Sequence, residues 1–333
     1  MSARETVDHD LLTAESAAAY LRARGVIGDD PATADELGGG VSNVVLAVTS
    51  GDRRLVLKQA LPRLRVESEW LAKRERALAE GRALAIAHRV LPPGSVPEVL
   101  DVDPDRFALT IERAPEGWLT WKERLFAGDV DLAVAGSLGE LLATWHRGTS
   151  DVEFDEWDSF EQLRVDPYYR ETARRHPALA TAILGYADAM RERRACLVHG
   201  DFSPKNILVG DPGLWMIDLE AAHRGDPAFD VAFLLNHLLL KAIAFPATQD
   251  ALLDCAERFD TSYRASLPPF AASSPDYVLG HVACLMLARV DGKSPAEYLD
   301  PSAQERTRAL AISLLAAPPA TLAPIAAAIR GAA

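Results

Sequence analysis

The stretch from Leu197 to Glu220 limits the folds open to this chain more than any other. It reads Leu-Val-His-Gly-Asp-Phe-Ser-Pro-Lys-Asn-Ile-Leu-Val, a Gly-Asp-Pro-Gly turn, then Leu-Trp-Met-Ile-Asp-Leu-Glu. Two short apolar runs on either side of a tight turn predict a pair of strands. Asp201 and Asn206 lie in the loop before the first strand, and Asp218 and Glu220 close the second. Groups able to hold a metal or accept a proton are thereby expected at one end of a hairpin. A buried carboxylate is costly unless paired or metal-bound, so polarity beside Ile207, Leu208 and Val209 predicts a use for it.

Asp201 and Asn206 have the Asp-x-x-x-x-Asn spacing of a kinase catalytic loop, and Asp218 follows where such enzymes carry a further magnesium ligand. His199-Gly200-Asp201 through Asn206, followed by Ile217-Asp218-Leu219-Glu220, resembles the signature of the aminoglycoside phosphotransferase superfamily of small-molecule kinases, which includes methylthioribose and choline kinases. The resemblance implies an α+β, two-lobed protein-kinase-like fold, with a small, mainly β N-terminal lobe and a larger, mainly helical C-terminal lobe. It also implies ATP and Mg2+ as cofactors and a small-molecule hydroxyl as phosphate acceptor. In such a reaction Asp201 orients the hydroxyl and takes its proton, while Asn206 and Asp218 hold magnesium. Glu220 adds a direct or water-mediated metal contact if the strand continues past Asp218. By the same resemblance, His199 shapes the loop and Asp230 anchors its backbone. Lys205 is read as facing water, with contact to the γ-phosphate as the alternative.

A chain of 333 residues is long enough for two lobes, each with its own core. The excess of 48 acidic over 35 basic residues argues against nucleic acid or an anionic membrane as the main partner. Most of that excess follows Arg113, where 20 basic residues meet 30 acidic ones. An acidic surface is its commoner cause, and a pocket for a cationic acceptor its alternative. Cys196, Cys255 and Cys284 are odd in number and widely spaced, which suits a reduced, cytoplasmic setting rather than a disulfide framework. No apolar run follows Arg4, so no signal peptide is expected. The apolar stretch Val231 to Phe245 contains Asn236, His237 and Lys241, and prolines 318, 319 and 324 interrupt the last apolar run. The first predicts a core helix and the second a broken run, and neither a membrane span. A monomer or homodimer is expected.

Thr13 is placed to cap a helix that Gly25 ends. Then come Glu36-Leu-Gly-Gly-Gly-Val-Ser-Asn43, a strand from Val44, a Ser-Gly-Asp turn and the strand Arg54 to Lys58. Strand, glycine loop, strand, turn, strand is the order of a nucleotide-covering hairpin. Gly39, Gly40, Ser42 and Asn43 are the candidates to approach phosphate, and Lys58 is placed to reach the α- and β-phosphates. A helix over 66–88 carries Glu80 on its apolar stripe, ahead of Glu67, Glu69 and Glu75 as the partner of Lys58. The segment from Lys58 to Leu84 is similar to the corresponding part of methylthioribose kinases, which also favours Glu80. Strands near 98–102 and 107–112 lead to Glu112 and Ala114, the adenine-facing hinge by position. The lobes divide accordingly into 1–113 and 114–333.

The second lobe reads as helices at 119–127, 129–148, 176–193, 227–244, 248–266, 275–290 and 302–316. Asp226-Pro227 makes a good helix start. Between helices, Asp151 to Tyr169 mixes acids with aromatics and reads as a solvated, partly packed surface loop, or as an acceptor site for a cation or sugar. Segment Asp166 to Arg174 and segment Arg289 to Ser294 resemble phosphotransferase-type proteins of undefined substrate. Asp166, Arg170, Arg174 and Arg289 are therefore the candidates on the acceptor side. The arginines suit an anionic group and count against a polycationic aminoglycoside.

Gly200 replaces the arginine of the protein-kinase His-Arg-Asp triplet, Asp218-Leu-Glu replaces Asp-Phe-Gly, and no Ala-Pro-Glu segment follows. A small-molecule acceptor is therefore expected over a protein. The reading is an ATP-dependent small-molecule kinase acting on an aminoglycoside-like, sugar or amino-alcohol hydroxyl. A methylthioribose-type sugar kinase is the alternative, although that family usually departs from asparagine at the position of Asn206. From another class, the rival is a non-catalytic nucleotide-binding regulatory module.

Overall fold

Thr13 opens the first helix, Ala14–Ala23, through a reciprocal cap with Ser16, and Gly25 follows its end in the left-handed conformation (φ 71°). The computed structural model describes residues 11–38, 42–64, 72–211, 213–267 and 269–331. Five strands follow or flank this helix: β1 (Ala32–Glu36), β2 (Asn43–Ser50), β3 (Arg53–Ala60), β4 (Val99–Asp103) and β5 (Ala108–Glu112). They form one antiparallel sheet in the order β1-β2-β3-β5-β4. Alternation in β2 and β3 puts Leu46, Val48, Leu55 and Leu57 into a core with Ala17 and Leu21. Each such leucine contributes roughly 2 kcal/mol by leaving water. The helix Arg76–Val90 buries Ala79, Ala83, Leu84 and Ala87, and with them Glu80.

The chain forms two compact units. One consists of the chain up to Trp118 together with Gly210–Glu220, and the other of Leu119–Val209 and Ala221 onward. The division thus falls after Trp118 and not after Arg113, and a segment expected in the second lobe belongs to the first. The reason is local packing: the Met216 N–H donates to the Ser95 carbonyl (2.8 Å), and the Trp215 and Trp118 rings meet at 5.7 Å.

The second unit is mainly helical: Trp121–Phe126, Leu132–Gly148, Ala180–Glu192, Pro227–Ala244, Gln249–Ser266, Pro275–Asp291, Pro301–Ala316 and Ala323–Gly331. Asp226 caps the Pro227 helix by accepting from the Ala228 N–H (3.0 Å). Among the described residues this is the one helix long and apolar enough to cross a membrane, and 89% of it is buried inside the unit. Helices Leu132–Gly148 and Gln249–Ser266 approach so closely that a Cβ at Gly139 would strike the Phe259 carbonyl at 2.6 Å. Short ladders pair Leu119–Thr120 with Leu208–Val209, and Cys196–Val198 with His223–Gly225.

One expectation fails here. Much of the presumed loop between Asp151 and Tyr169 is helix: Trp157–Phe160, then ten residues of π-helix, Glu161–Arg170, continuing into Glu171–Arg175. Phe160 and Tyr169 are fully buried, and Tyr169 Oη hydrogen-bonds with His281 Nδ1 at 2.8 Å. The wide winding abolishes the 3.6-residue spacing by which a helix is read, and Pro167 lies within it.

Candidate active site

In the first unit, β3 delivers Lys58 to the inner face, 7% exposed. Its Nζ donates to both Glu80 oxygens (2.7 and 2.8 Å) and to Asp218 Oδ1 (2.6 Å). Glu80 is 1% exposed, whereas the competing Glu75 lies on the exposed side of the same helix start. Glu67 and Glu69 lie outside the described residues, as do Gly39 and Gly40. Burial works to lower the Lys58 pKa, but the carboxylates of Asp218, Glu80 and Glu220 outweigh it and hold the ammonium above its ordinary range. Burial pushes Glu80 up, against the pull of Lys58 and with the help of Asp218 and Glu220. Three carboxylates around one lysine leave an excess of negative charge, which a bound cation would offset.

Asp218 adopts φ 67°, a left-handed conformation that costs a residue with a Cβ on the order of 1 kcal/mol. The strand before it ends at Met216, so Glu220 does not extend the ladder as the sequence suggested. Instead Glu220 Oε1 accepts from Ser42 Oγ (2.7 Å), and Oε2 accepts from Asn43 Nδ2 (2.9 Å) and Arg76 Nε (3.1 Å). Arg76 is fully buried and also donates to the Ser42 and Leu61 carbonyls. Ser42, Asn43 and Glu220 are thus joined in one buried network around Arg76, a residue the sequence reading overlooked. At the expected hinge, Glu112 is exposed and its N–H donates to the Glu98 carbonyl (2.8 Å), so that N–H is already engaged.

The second unit holds Asp201 and Asn206. Gly200 takes φ 75°, and any side chain there would collide with the Ala221 carbonyl, which accounts for glycine before the aspartate. The loop is fastened from behind by Asp230, fully buried in the Pro227 helix. Its Oδ2 accepts from the His199 N–H (2.6 Å) and its Oδ1 from the Gly200 N–H (2.9 Å). His146 Nε2 lies 3.2 Å from the same carboxylate and its Nδ1 2.8 Å from Tyr263 Oη. Burial alone would raise the Asp230 pKa, but His146 and the amide at His199 hold it below the usual carboxylate range. Asn206 donates from Nδ2 to the Asp201 carbonyl (3.0 Å), which turns its amide oxygen to the other side.

Asp201 Oδ2 is met by Arg164 Nη2 at 2.7 Å and by Lys205 Nζ at 2.9 Å. Lys205 therefore pairs with Asp201 instead of simply facing water. Arg164, also donating from Nε to the Gly200 carbonyl (2.8 Å), comes from the π-helix and was invisible in the sequence. Its signal there was only a basic residue between Leu163 and Val165. Of the acceptor candidates, Arg170 is engaged by Glu161 (2.6 Å), Arg174 by Glu171 (2.8 Å), and Asp166 by Lys293 (2.9 Å). The two arginine pairs run along the helix surface, and Lys293 reaches Asp166 from beyond the Pro275–Asp291 helix. Arg289 differs: its Nη1 donates to Ser294 Oγ (2.7 Å), and its buried Nε has no partner.

Comparison with known proteins fits this geometry. Solved structures share the fold across nearly the whole chain. They include the amicoumacin kinase hAmiN in complex with AMP-PNP, Ca2+ and Ami (TM-score 0.61, 14% identity, 95% of this chain and 97% of that one). They also include a choline/ethanolamine kinase family protein from Mesorhizobium loti (TM-score 0.53, 20% identity, 95% and 99%). In sequence, the chain is 29% identical to the methylthioribose kinase of Citrobacter koseri over 270 residues, covering 70% of this chain and 67% of that protein. It is 28% identical to the methylthioribose kinase of Yersinia pestis, covering 66% of it, so the chain spans about two thirds of the length of these relatives. The family model described as the phosphotransferase enzyme family matches residues 33–254, a run that takes in Lys58, Glu80, Asp201, Asn206 and Asp218. With that match over well more than half its length, the chain belongs to the phosphotransferase enzyme family.

Proposed function

We propose that this protein transfers the γ-phosphate of ATP to a hydroxyl of a small molecule. The observation that carries the reading is the buried Lys58–Glu80 pair with Asp218 at 2.6 Å, an arrangement suited to gripping nucleotide phosphates. Lys58 binds the phosphates and Glu80 keeps its ammonium aimed. Asp201, set on a loop whose backbone Asp230 clamps, orients the acceptor hydroxyl and takes its proton. Asn206 and Asp218 offer an amide oxygen and a carboxylate, hard donors that fit Mg2+, and bound magnesium would neutralise charge on the phosphates. Glu220 acts through Ser42, Asn43 and Arg76, by holding the residues that follow the glycine run.

A second reading, a methylthioribose-type sugar kinase, is favoured by the relatives at 28–29% identity, and it differs in taking a neutral pentose. A binding-only module has no use for Asp201. The test is an ADP-release screen with Mg2+ and ATP over aminoglycosides, methylthioribose, other pentoses and amino alcohols. Asp201→Asn is expected to lower kcat by about 10²- to 10⁴-fold while ATP still binds. Magnesium-dependent ADP release that survives this change overturns the role of Asp201. ATP binding without release on any acceptor favours the module.

A further inference from the structure

Lys241, near the end of the Pro227–Ala244 helix, is 1% exposed. Its Nζ makes one long hydrogen bond, 3.4 Å, to the His237 carbonyl of its own helix, and among the described residues no carboxylate pairs with it. It stands instead over two rings, 5.5 Å from the Phe126 centroid and 5.1 Å from that of Tyr298. Lys122, from another helix, stands 5.3 Å over the same Phe126 ring. A ring face attracts a cation only weakly compared with the cost of taking an ammonium out of water, and here two ammonium groups share one ring.

Further unused donors lie close by. The Arg289 Nε and the Tyr298 hydroxyl are both buried without a partner. The nearest counter-charge, Glu297, is 78% exposed and 3.7 Å from Lys122. Burial, then the charges of Arg289 and Lys122, push Lys241 down to about 7, with only Glu297 opposing. His237 is pushed well down by burial and by Lys241, Arg289, Lys205 and Lys122. In a chain of net charge −13, this is a local surplus of cations, with Glu297 the one carboxylate acting on them from among the described residues.

The cluster leads to the base. Lys205 contacts Asp201 at 2.9 Å, and the Tyr168 hydroxyl feels Arg289, Arg164 and Asp201 together. We propose that the acceptor is an anion, a hydroxyl-bearing carboxylate or phosphate ester whose charged group sits among Lys241, Lys122, Arg289 and the Tyr298 hydroxyl. This rests on the kinase reading and names its substrate class. The acceptor oxygen forms a bond to the γ-phosphorus, the bond to the β,γ-bridging oxygen breaks with its electron pair leaving on ADP, and the hydroxyl proton passes to Asp201. Polycationic and quaternary-ammonium acceptors are repelled from such a site.

The test titrates the full chain, saturated with Mg2+ and a non-hydrolysable ATP analogue, with inorganic phosphate and separately with acetate. Wild type is expected to bind one of them, and Lys241→Met and Arg289→Gln to weaken that binding by at least about tenfold. Preference for phosphate or for acetate distinguishes an ester from a carboxylic acid. ADP release is measured in parallel with a sugar phosphate, a sugar acid and the parent sugar, and KM for the charged acceptor is expected to rise in both variants more than kcat falls. Wild type that binds neither anion, or Lys241→Met that binds as tightly, overturns the site. Turnover of neutral sugars with unchanged KM in Lys241→Met overturns the anionic acceptor alone, whereas anion binding with no ADP release on any acceptor counts against the kinase reading alone.

Discussion

Lys58 and Lys241 are both buried, 7% and 1% exposed, in opposite surroundings. Lys58 has carboxylate oxygens at 2.6, 2.7 and 2.8 Å, and they overcome burial to keep it charged. Lys241 has two rings, a helix carbonyl and other cations, and burial pushes it down to about 7. The difference separates a lysine whose partners the chain supplies from one whose partner must come from outside. Under the proposed function, the first would grip phosphate and the second would select what is phosphorylated.

The strongest way to break the contrast is Lys58→Met. It leaves Glu80 and Asp218 facing each other without a counter-charge, so stability is expected to fall by about 3 kcal/mol in denaturant unfolding. Turnover should drop by about 10²-fold or more. Unchanged unfolding would mean that the carboxylates relax into water and the pair is not a buried one. Next in size is Glu80→Gln, which keeps the shape and leaves Lys58 its bond to Asp218. A loss of about 2 kcal/mol is expected, together with weaker ATP binding in equilibrium titration.

A further way to sharpen the contrast concerns pH. Lys241 has its folded pKa depressed from 10.5 to about 7, so between those values the unfolded chain holds the proton and the folded one does not. Stability from this group therefore rises with pH from about 7 toward 10.5 and is lost as pH falls through 7. The charged groups facing it are Arg289, Lys122 and Glu297, with His237 beside it on its own helix. Lys241→Met should flatten that slope and leave the protein at least as stable at pH 7, as read from thermal unfolding across the range. A slope that survives the change assigns it elsewhere.

Much of this could be read in advance where one residue type has one physical use. Thr13, Gly25 and Asp226-Pro227 marked helix ends because capping chemistry is local. Lys58 and Glu80 were legible from an alternating strand and an apolar stripe, and the structure joins them. Arg164 was not, because its π-helix carries no 3.6-residue pattern and its role depends on where Gly200 and Asp201 lie. Glu220 was assigned by assuming that a strand continued, and the turn after Met216 gave it to Arg76 instead. Arg170 and Arg174 looked like ligand groups only because their acidic partners, Glu161 and Glu171, cannot be paired with them from sequence alone. Lys241 was noted only as an interruption of an apolar run, since a missing counter-ion is a property of three dimensions.

The segment Gly210–Glu220 also bears on how the protein is made. Because the first unit includes residues that follow Val209, the ribosome must release the chain as far as Glu220 before that unit has all its parts. Until then Arg76, fully buried in the finished fold, lacks the carboxylate of Glu220. A nascent chain ending at Trp118 would hold the five-stranded sheet's sequence without its buried counter-ion, and such a fragment is expected to be a poor folder alone. The N-terminal sheet is therefore synthesised well before the unit that contains it is complete.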